Sequence, residues 1–553
     1  MRLLFVARHF TYFRNFEAVV RLLAGRGHDV HLVAERDEAL GGRDLVERLT
    51  AASPRITAGE LPPRADQRWF AIATCIRRSL DFLTYASPLY AAAPKIRERA
   101  WERTPQLAVA AARWPGRRLI ARALDAIDRA IPTDAALDAF LDEHRPDLVL
   151  LSPLIELGSP QLDVLKSARR RGTRTAVAVW SWDHLTSKAR LRQQPDHVIV
   201  WNDTQRHEAE ALHHVPRERI AVTGAQCFDH WFGRSPSRTR EQFCRDAGLA
   251  DTRPFVLYVC SALFRGSPSE AAFVARWAAH LRQASLPRVR GAGILVRPHP
   301  QRMYEWDGAP IEALANAGVA FRGGHPIDEP GRDDYFDALY YAAAVVGLNT
   351  SAMIEAAIVD RPVLTMVLPE FSENQTGTLH FRYLLDGPDA FLHAATDMDE
   401  HVAQLDAALS GRLANRNAGF VERFIRPNGM DRAATPVFVD ALESFAAEPA
   451  SVAAYARGSR PWRSLANAWY RSFDRPVVQA MMLEASHAVE ERDRARRLDE
   501  KHARVRERNE ERRARAGAKE DRYRVKRRQH RVAQLKTAVR RVLAPGGRGA
   551  GSH

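Results

Sequence analysis

Short apolar runs alternate with helical stretches along the first 450 residues of the chain. The first series begins with LLFVA and continues with DVHLVAE, DLVLLS, TAVAVW, HVIVW and IAVTG. A second series follows residue 253 and comprises PFVLYVCSAL, GAGILVRPHP, GVAFRG, AAAVVGLNTS and RPVLTMV. Strands that alternate with helices predict parallel sheets with helices on both faces. We therefore expect an α/β fold of two doubly wound domains facing a cleft.

The same pattern predicts the domain organisation. Residues 1–232 form a first Rossmann-like domain, with a helical insertion at about 67–130 that is rich in Ala, Arg and aromatic residues. A linker at 233–253 leads to a second Rossmann-like domain at 254–445, which the segment FIRPNGMDRAATPVFVDALE ends with a helix. Helices at 446–485 are expected to pack back, and residues 486–553 form a highly charged helical or disordered tail.

Much of the net charge of +15 lies in that tail, where Arg, Lys and Glu dominate and large apolar residues are almost absent. Such a composition cannot bury a core and favours a solvated helix. Near its end, Val532, Leu535 and Val539 share one helical face with Arg531 and Lys536 around it. This pattern is typical of a helix on an anionic membrane surface, and the alternative is a tail that touches nothing. Nucleic-acid binding is disfavoured because interleaved aromatic residues are missing.

The chain carries no apolar run near the ~20 residues of a membrane-spanning helix, and MRLLFVARHF predicts a first strand rather than a signal peptide. Its four cysteines are scattered, which indicates reduced thiols and no structural zinc. We expect a cytoplasmic protein, either free or peripheral at the inner face of the plasma membrane.

The segment VVGLNTSAMIEAAIVDRPVLTM, residues 345–366, predicts a strand, a tight polar loop, a helix and a second strand. The loop residues Asn349, Thr350 and Ser351 stand where the first N–H groups of a helix attract anions, phosphate above all. Glu355 lies one turn further on, within reach of a ribose diol. The alternative is an ordinary capped helix.

Other polar residues also follow predicted strands. Arg297 and His299 lie in RPHP and, with the 349–351 loop, make a candidate diphosphate site. The adjacent acids Asp333 and Asp334 are predicted to cap a helix, so no metal site is expected. Further candidates at strand ends are Ser261, Arg265, Gln375 and His380.

The two-domain pattern, RPHP, NTSAMIEAAIVDRPVLT and VTGAQCFDHWF resemble GT-B fold nucleotide-sugar enzymes over about residues 1–445. The nearest groups are bacterial surface-polysaccharide glycosyltransferases, CDP-glycerol glycerophosphotransferases and UDP-N-acetylglucosamine 2-epimerases. The resemblance implies that the second domain binds a nucleotide-diphosphate sugar donor, that the first binds a glycan or lipid-linked acceptor, and that no further cofactor is needed.

Residue by residue, His299-Pro300 and Thr350-Ser351 match the HP dipeptide and hydroxyl pair of the phosphotransferases, and Glu355 matches a ribose-binding Glu. The chain departs from the pattern in two places. ARHFTYFRNF replaces a Gly-rich loop, and Asn349 stands where an acidic residue is frequent.

Transfer to an acceptor hydroxyl needs a base and cations for the leaving diphosphate. The base candidates are His9, Asp183 and His184, in first-domain loops expected to face the cleft. Asp183 is preferred because Trp180 and Trp182 would raise its pKa, and the alternative is that it caps the turn to Leu185. Further roles are expected as follows: Lys188 or Arg265 as phosphate ligands, and Gln375 and His380 as ligands of the donor sugar.

Three functions remain open from the sequence. The first is a glycosyltransferase acting on a cell-envelope or polysaccharide acceptor. The second is a glycerophosphotransferase or a hydrolysing epimerase on the same scaffold, although an epimerase needs several acids in the cleft and few are found. The third is a non-catalytic binding or scaffold protein that acts through its basic tail.

Overall fold

Seven parallel strands form the first of two sheets, in the order β3-β2-β1-β4-β5-β6-β7. The computed structural model describes residues 1–484 apart from 37–40, 307–308, 324–325, 327, 388–389 and 449–457, so the tail at 486–553 lies outside the described residues. The strands are β1 (Arg2–Ala7), β2 (Asp29–Ala34), β3 (Ile56–Glu60), β4 (Leu148–Ser152), β5 (Arg174–Ala178), β6 (His197–Val200) and β7 (Ile220–Val222). In register, Phe5 lies between Leu32 and Leu150.

The second sheet has six parallel strands in the order β10-β9-β8-β11-β12-β13. They are β8 (Phe255–Val259), β9 (Gly293–Arg297), β10 (Val319–Phe321), β11 (Ala344–Val346), β12 (Val363–Met366) and β13 (His393–Ala395). In each sheet the strand order reverses beside the first strand, at β1/β4 and at β8/β11, which is where doubly wound sheets open a crevice. These sheets confirm the expected GT-B arrangement.

Helices cover both faces of each sheet. Those up to the second sheet are α1 (Glu17–Gly25), α2 (Gly42–Ala52), α3 (Gln67–Tyr85), α4 (Pro94–Glu102), α5 (Gln106–Ala112), α6 (Arg117–Ala130), α7 (Ala135–His144), α8 (Gln161–Arg170), α9 (His184–Ser187), α10 (Asp203–His213) and α11 (Arg240–Ala247). The later ones are α12 (Glu270–Gln283), α13 (Pro287–Gly291), α14 (Ala309–Asn316), α15 (Glu329–Tyr341), α16 (Ala352–Ile358), α17 (Arg382–Leu385), α18 (Met398–Leu409), α19 (Asn417–Phe420), α20 (Ala434–Ala447), α21 (Arg460–Arg471) and α22 (Pro476–Met482). Short 3-10 or π segments span Phe10–Phe16, Pro88–Tyr90, Arg217–Arg219, Gln226–Trp231, Pro300–Glu305, Pro369–Asn374 and Val421–Ile425.

Alternation along the strands builds the core. In β1, Leu3 and Phe5 enter an apolar cluster on one face of the sheet, whereas Leu4 and Val6 enter a separate cluster on the other. The central strand β8 divides its side chains in the same way. Burial on both faces explains why these strands read as continuous apolar runs.

Two short edge strands, β3 and β13, were missing from the sequence prediction. Only Ile56 is buried in β3, and β13 has three residues of which only Ala395 is buried. An edge strand paired on one side needs little apolar surface, so its sequence gives a weak signal.

The helical insertion α3–α6 lies between β3 and β4 and is fixed to the first domain by a buried ion-pair cluster. Arg77 is 1% exposed and donates to Asp128 at 3.0 Å and to Asp163 at 2.5 Å. Its guanidinium satisfies both carboxylates, so the cluster avoids the large cost of an unpaired buried charge.

Helix α20 packs on the first domain instead of closing the second, which corrects the sequence prediction. Its residues Phe438 and Val439 are fully buried in the same cluster as β1, and the ring of Phe438 lies 5.9 Å from that of Phe16. The free energy of burying this apolar face favours the crossing.

The linker motif VTGAQCFDHWF forms the junction that α20 crosses. Asp229 accepts hydrogen bonds from the backbone N–H groups of Ala434 at 3.0 Å and Thr435 at 2.6 Å, and so satisfies the start of α20. Gly224 has a φ of +88°, and a Cβ there would lie 2.8 Å from that of Ala434. The VTGAQCFDHWF segment therefore contacts the start of α20 at the junction of the two domains.

The predicted capping role of Asp333 and Asp334 is wrong. Helix α15 begins four residues earlier, where Asp328 accepts from the backbone N–H of Gly331 at 2.9 Å. Pro at the second helical position and this Asp are a common start signal. Asp333 and Asp334 lie inside the helix and pair with arginines.

Candidate active site

Loops that follow strands of both sheets meet in a cleft. Arg332 pairs with Glu17 at 3.0 Å, and the Thr186 hydroxyl lies within hydrogen-bonding distance of His380 Nδ1 at 3.2 Å. Each contact joins a segment after a first-sheet strand to one of the second domain. The cleft therefore lies outside the carboxyl ends of the strands, where open parallel sheets bind ligands.

Asp183, after β5, is held as a carboxylate. It accepts from Ser187 Oγ at 2.9 Å and from Ser181 Oγ, and it pairs with Lys188 Nζ at 2.9 Å. Burial alone would raise its pKa, but the charge of Lys188 and the serine hydrogen bonds outweigh burial and hold the pKa well below its usual range.

The expectation that neighbouring tryptophans raise the pKa of Asp183 is therefore wrong. An ion pair stabilises the charged form more than the apolar rings destabilise it. Asp183 is ionised at neutral pH, and Lys188 is a cation whose charge is already shared.

His184 does not face the cleft, which corrects the sequence prediction. Its side chain is fully buried, and Nε2 lies 2.8 Å from the carbonyl oxygen of Pro153 and 3.2 Å from that of Ile155. Burial lowers its pKa to about 3. The neutral imidazole therefore supports the loop after β4.

His9 lies at the end of β1 and is half-buried. Its ring packs edge-on against Tyr12 at 4.6 Å, and Tyr12 in turn packs against Trp180 at 4.8 Å. Asn15 Nδ2 donates to the carbonyl of Trp180 at 3.3 Å, which ties the β1 and β5 loops together. This partly exposed aromatic group forms the first-domain wall.

His380 connects the two walls. It is 4% exposed, its ring packs edge-on against Trp182 at 4.6 Å, and it lies beside Thr186, Asp183 and Lys188. Burial lowers its pKa to about 4, against the opposing charge of Asp183. A neutral His380 thus holds the domains together at neutral pH.

The 349–351 loop is braced from β8 and from the loop after β12. The backbone N–H of Asn349 donates to Ser261 Oγ at 3.1 Å, and its side-chain amide donates to the carbonyl of Asn374. Gln375 is fully buried and donates to the carbonyl oxygens of Leu348 at 3.1 Å and Met366 at 2.9 Å. Ser261 and Gln375 therefore brace the loop.

The hydroxyl pair itself is accessible. Ser351 is exposed and makes no capping hydrogen bond at the start of α16, while Thr350 Oγ1 accepts weakly from the backbone N–H of Ala352 at 3.4 Å. The loop thus presents two hydroxyls to the cleft, whereas the first N–H groups of α16 already donate to Thr350 and Ser351.

Glu355 reaches the junction of the domains. Its Oε2 accepts from the Tyr335 hydroxyl at 2.5 Å. Burial raises its pKa to about 7, although Tyr335, Arg14 and Arg297 oppose that rise. Arg14 belongs to the first domain, so this carboxyl lies between the two walls.

Arg297 is 8% exposed and engaged within the second domain. It donates to Asp334 at 3.1 Å, and its guanidinium stacks 4.9 Å from the Tyr335 ring centroid. Arg238 and Arg322 also donate to Asp334. Arg238 pairs further with Asp246 at 3.0 Å and with Asp337 at 3.1 Å, so the three guanidiniums of this cluster face three carboxylates.

His299 is half-buried at the start of a 3-10 segment and accepts from the backbone N–H of Gln301 at 3.2 Å. Arg265 lies exposed in the loop after β8. The structure therefore brings Arg297 and Glu355 together around Tyr335, and it brings Asp183, Lys188 and His380 together on the other side.

Sequence reasoning missed Arg14, Tyr335 and Asn374. Tyr335 lies in α15, far from any strand end, and its role depends on tertiary packing that a sequence pattern does not report. Arg14 could have been found, since it belongs to the ARHFTYFRNF segment that replaces a Gly-rich loop. Within the described residues, no group of three or more His, Cys, Asp and Glu side chains is arranged to hold a metal ion.

No protein-family model and no curated protein sequence matches the chain. Solved structures with a similar fold include a glycosyltransferase from Rickettsia africae (9% identity, TM-score 0.46, 81% of this chain and 99% of that one). A second is a UDP-GlcNAc 2-epimerase from Methanocaldococcus jannaschii (9% identity, TM-score 0.48, 80% of this chain and 100% of that one). A third is MurG from Acinetobacter baumannii (14% identity, TM-score 0.41, 80% of this chain and 99% of that one). At these identities and TM-scores, the similarities carry no argument about activity.

Proposed function

We propose that the protein is a metal-independent glycosyltransferase that moves a sugar from a nucleoside-diphosphate donor to a hydroxyl acceptor. The observation that carries this proposal is the position of Glu355. Its carboxyl is held by Tyr335 one turn after an accessible hydroxyl loop, and its oxygens can accept hydrogen bonds from the two hydroxyls of a ribose diol. Arg297, a cation for the diphosphate, lies beside it.

In the proposed donor complex, the diphosphate lies at the 349–351 loop. The hydroxyls and backbone N–H groups of Thr350 and Ser351 hold the phosphate oxygens. Arg297 supplies positive charge for the leaving diphosphate, which gains negative charge as its bond to the sugar breaks.

The acceptor approaches from the first-domain wall. Its hydroxyl oxygen forms a bond to the anomeric carbon as the bond from that carbon to the diphosphate oxygen breaks, and its proton passes to a base. His9 is the proposed base, because it is half-buried beside the aromatic group of Tyr12 and Trp180. Asp183 instead orients Lys188, since a carboxylate with a lowered pKa is a weak base.

A thermal-shift screen of the full chain tests this function. UDP, GDP, CDP, dTDP and their nucleotide sugars are each added to the protein. At least one of these nucleotides is expected to raise the melting temperature. Adenosine without phosphate is the control for non-specific stacking. If none of the nucleoside diphosphates or nucleotide sugars raises the melting temperature, the proposed function is wrong.

A further inference from the structure

The largest exposed apolar side chains concentrate on one part of the molecule. Of the eleven large hydrophobic residues that are exposed within the described chain, six belong to the helical insertion or to α21 and α22, and a seventh directly follows α22. They include Trp114 at 55%, Leu119 at 64% and Val477 at 64% exposure. The others in this group are Leu89, Leu465, Met481 and Leu483.

These helices pack directly on one another. Ala466 of α21 is buried against Ile127 and Ala130 of α6, and α22 packs on α5. The last described residue, Glu484, bridges to the backbone of Pro105 and pairs with Arg78 of α3. The exposed apolar residues of α6, α21 and α22 therefore belong to one packed group of helices.

Unpaired arginines accompany the apolar side chains. Arg113, Arg118 and Arg122 are exposed beside Trp114 and Leu119, and no carboxylate among the described residues pairs with any of the three. Arg118 and Arg122 stand one helical turn apart and therefore project from the same side of α6. We call the surface formed by residues 113–122 the basic apolar face.

Residues 113–122 contain no acid. Nearby on α6, Asp125 pairs with Arg129 at 2.9 Å, and between α21 and α22, Asp474 pairs with Arg68 at 2.7 Å. Their pairing leaves the basic apolar face with an excess of positive charge.

A groove opens next to this face. It has a volume of about 250 Å³, and its lining includes the apolar Phe82, Trp101 and Val109 and the charged Arg97, Arg113 and Glu98. Glu98 pairs with Lys95 at 2.8 Å. Arg113 thus belongs both to the groove and to the basic apolar face, so apolar and cationic surface are continuous there.

We propose that the basic apolar face docks on an anionic phospholipid bilayer. Exposed Trp and Leu enter the interface between headgroups and acyl chains, while Arg side chains bind lipid phosphates. The C-terminal segment 485–553 is itself strongly basic, so its charge does not complement this face. A nucleic acid would satisfy the arginines but not Leu119.

Co-sedimentation of the full chain with vesicles tests the proposal. Vesicles of phosphatidylglycerol and phosphatidylcholine are expected to bind the protein, and vesicles of phosphatidylcholine alone are not. The triple variant Trp114→Ser/Arg118→Gln/Arg122→Gln is expected to bind the anionic vesicles at least about tenfold more weakly, since each Arg near the surface contributes about 1 kcal/mol.

The matched control is Met430→Ser/Arg219→Gln/Arg253→Gln, which removes the same kinds of exposed side chain elsewhere and is expected to bind as the unmodified protein. Equal binding by the triple variant, or no preference for anionic vesicles, would overturn the proposal. So would equal competition by single-stranded DNA at matched phosphate concentration.

Hydrogen–deuterium exchange on the unmodified protein gives a second measurement that does not depend on a variant. Peptides covering 113–122 are expected to exchange more slowly on anionic vesicles than in solution. Unchanged exchange in those peptides on bound protein places the contact elsewhere and contradicts the proposal. Nucleotide binding is measured separately, so failure of either proposal leaves the other standing.

Discussion

The Tyr335 hydroxyl donates a 2.5 Å hydrogen bond to the carboxyl of Glu355, at the junction of the two domains. The pair joins α15 to α16 and lies beside Arg297 and Arg14. The pair places a hydroxyl and a carboxyl, which together donate and accept hydrogen bonds, beside the accessible 349–351 loop. The proposed donor site consists of this pair and that loop.

Substituting Glu355→Gln is expected to change the pH dependence of stability. The folded protein holds a proton on Glu355 up to pH about 7, whereas the unfolded chain releases it near 4.5. Stability from this group is therefore complete below pH 4.5 and is lost as the pH rises to 7. The variant should avoid this loss and be more stable than the unmodified protein at pH 8, by up to about 3 kcal/mol.

Urea unfolding at pH 5 and pH 8 measures this difference. The exposed Glu312→Gln is the control and should give the same pH dependence as the unmodified protein. A Glu355→Gln variant whose stability relative to the unmodified protein is the same at both pH values would show that the carboxyl titrates normally.

Substituting Lys188→Met is expected to destabilise the fold by leaving Asp183 without its cation. The pair is 28% and 20% exposed, so the expected loss lies between those of exposed and buried pairs, at roughly 2 kcal/mol. The double variant Asp183→Asn/Lys188→Met should recover part of this loss, because it buries no unpaired charge. Additive effects in a double-mutant cycle from chemical unfolding would contradict the assigned ion pair.

Substituting Gly224→Ala tests how closely α20 crosses the linker. The matched control is Gly27→Ala: its φ is +86° against +88°, but no atom lies within 4 Å of the added Cβ. Both variants strain the backbone, and only Gly224→Ala also meets Ala434. Gly224→Ala is expected to lower the free energy of unfolding by at least about 1 kcal/mol more than the control. Equal losses would mean that the two segments are less tightly packed.

The sequence was sufficient for the central strands because they are buried on both faces, and continuous apolar runs report that burial directly. The sequence pattern was insufficient where a side chain packs against residues that are distant along the chain. The apolar face of α20 does not say which domain it covers, and Phe16, its partner, lies more than four hundred residues away. The same holds for Asp333 and Asp334, whose arginine partners come from other segments.

For the site, strand-end position predicted that Arg297 and the 349–351 loop lie at one edge of the sheet, because the parallel order of β9, β8 and β11 gathers their loops. Strand-end position alone could not show that His9 and His184 differ in burial. Both follow strands, but the rotation of a short helix, α9, turns His184 into the protein interior. The charge state of Asp183 likewise depends on its ion pair with Lys188. Lys188 lies five residues further along the chain, and the short helix α9 between them brings the two side chains together.

The most direct measurement of the central claim is isothermal titration calorimetry of ribonucleoside and 2′-deoxyribonucleoside diphosphates of the base identified in the thermal-shift screen. If Glu355 binds the ribose diol, the unmodified protein should bind the ribonucleotide about tenfold more tightly, which is the contribution of about one hydrogen bond to a partly charged group. Glu355→Ala should bind both equally. Equal discrimination by the protein and the variant would contradict the assignment of Glu355 to the donor ribose.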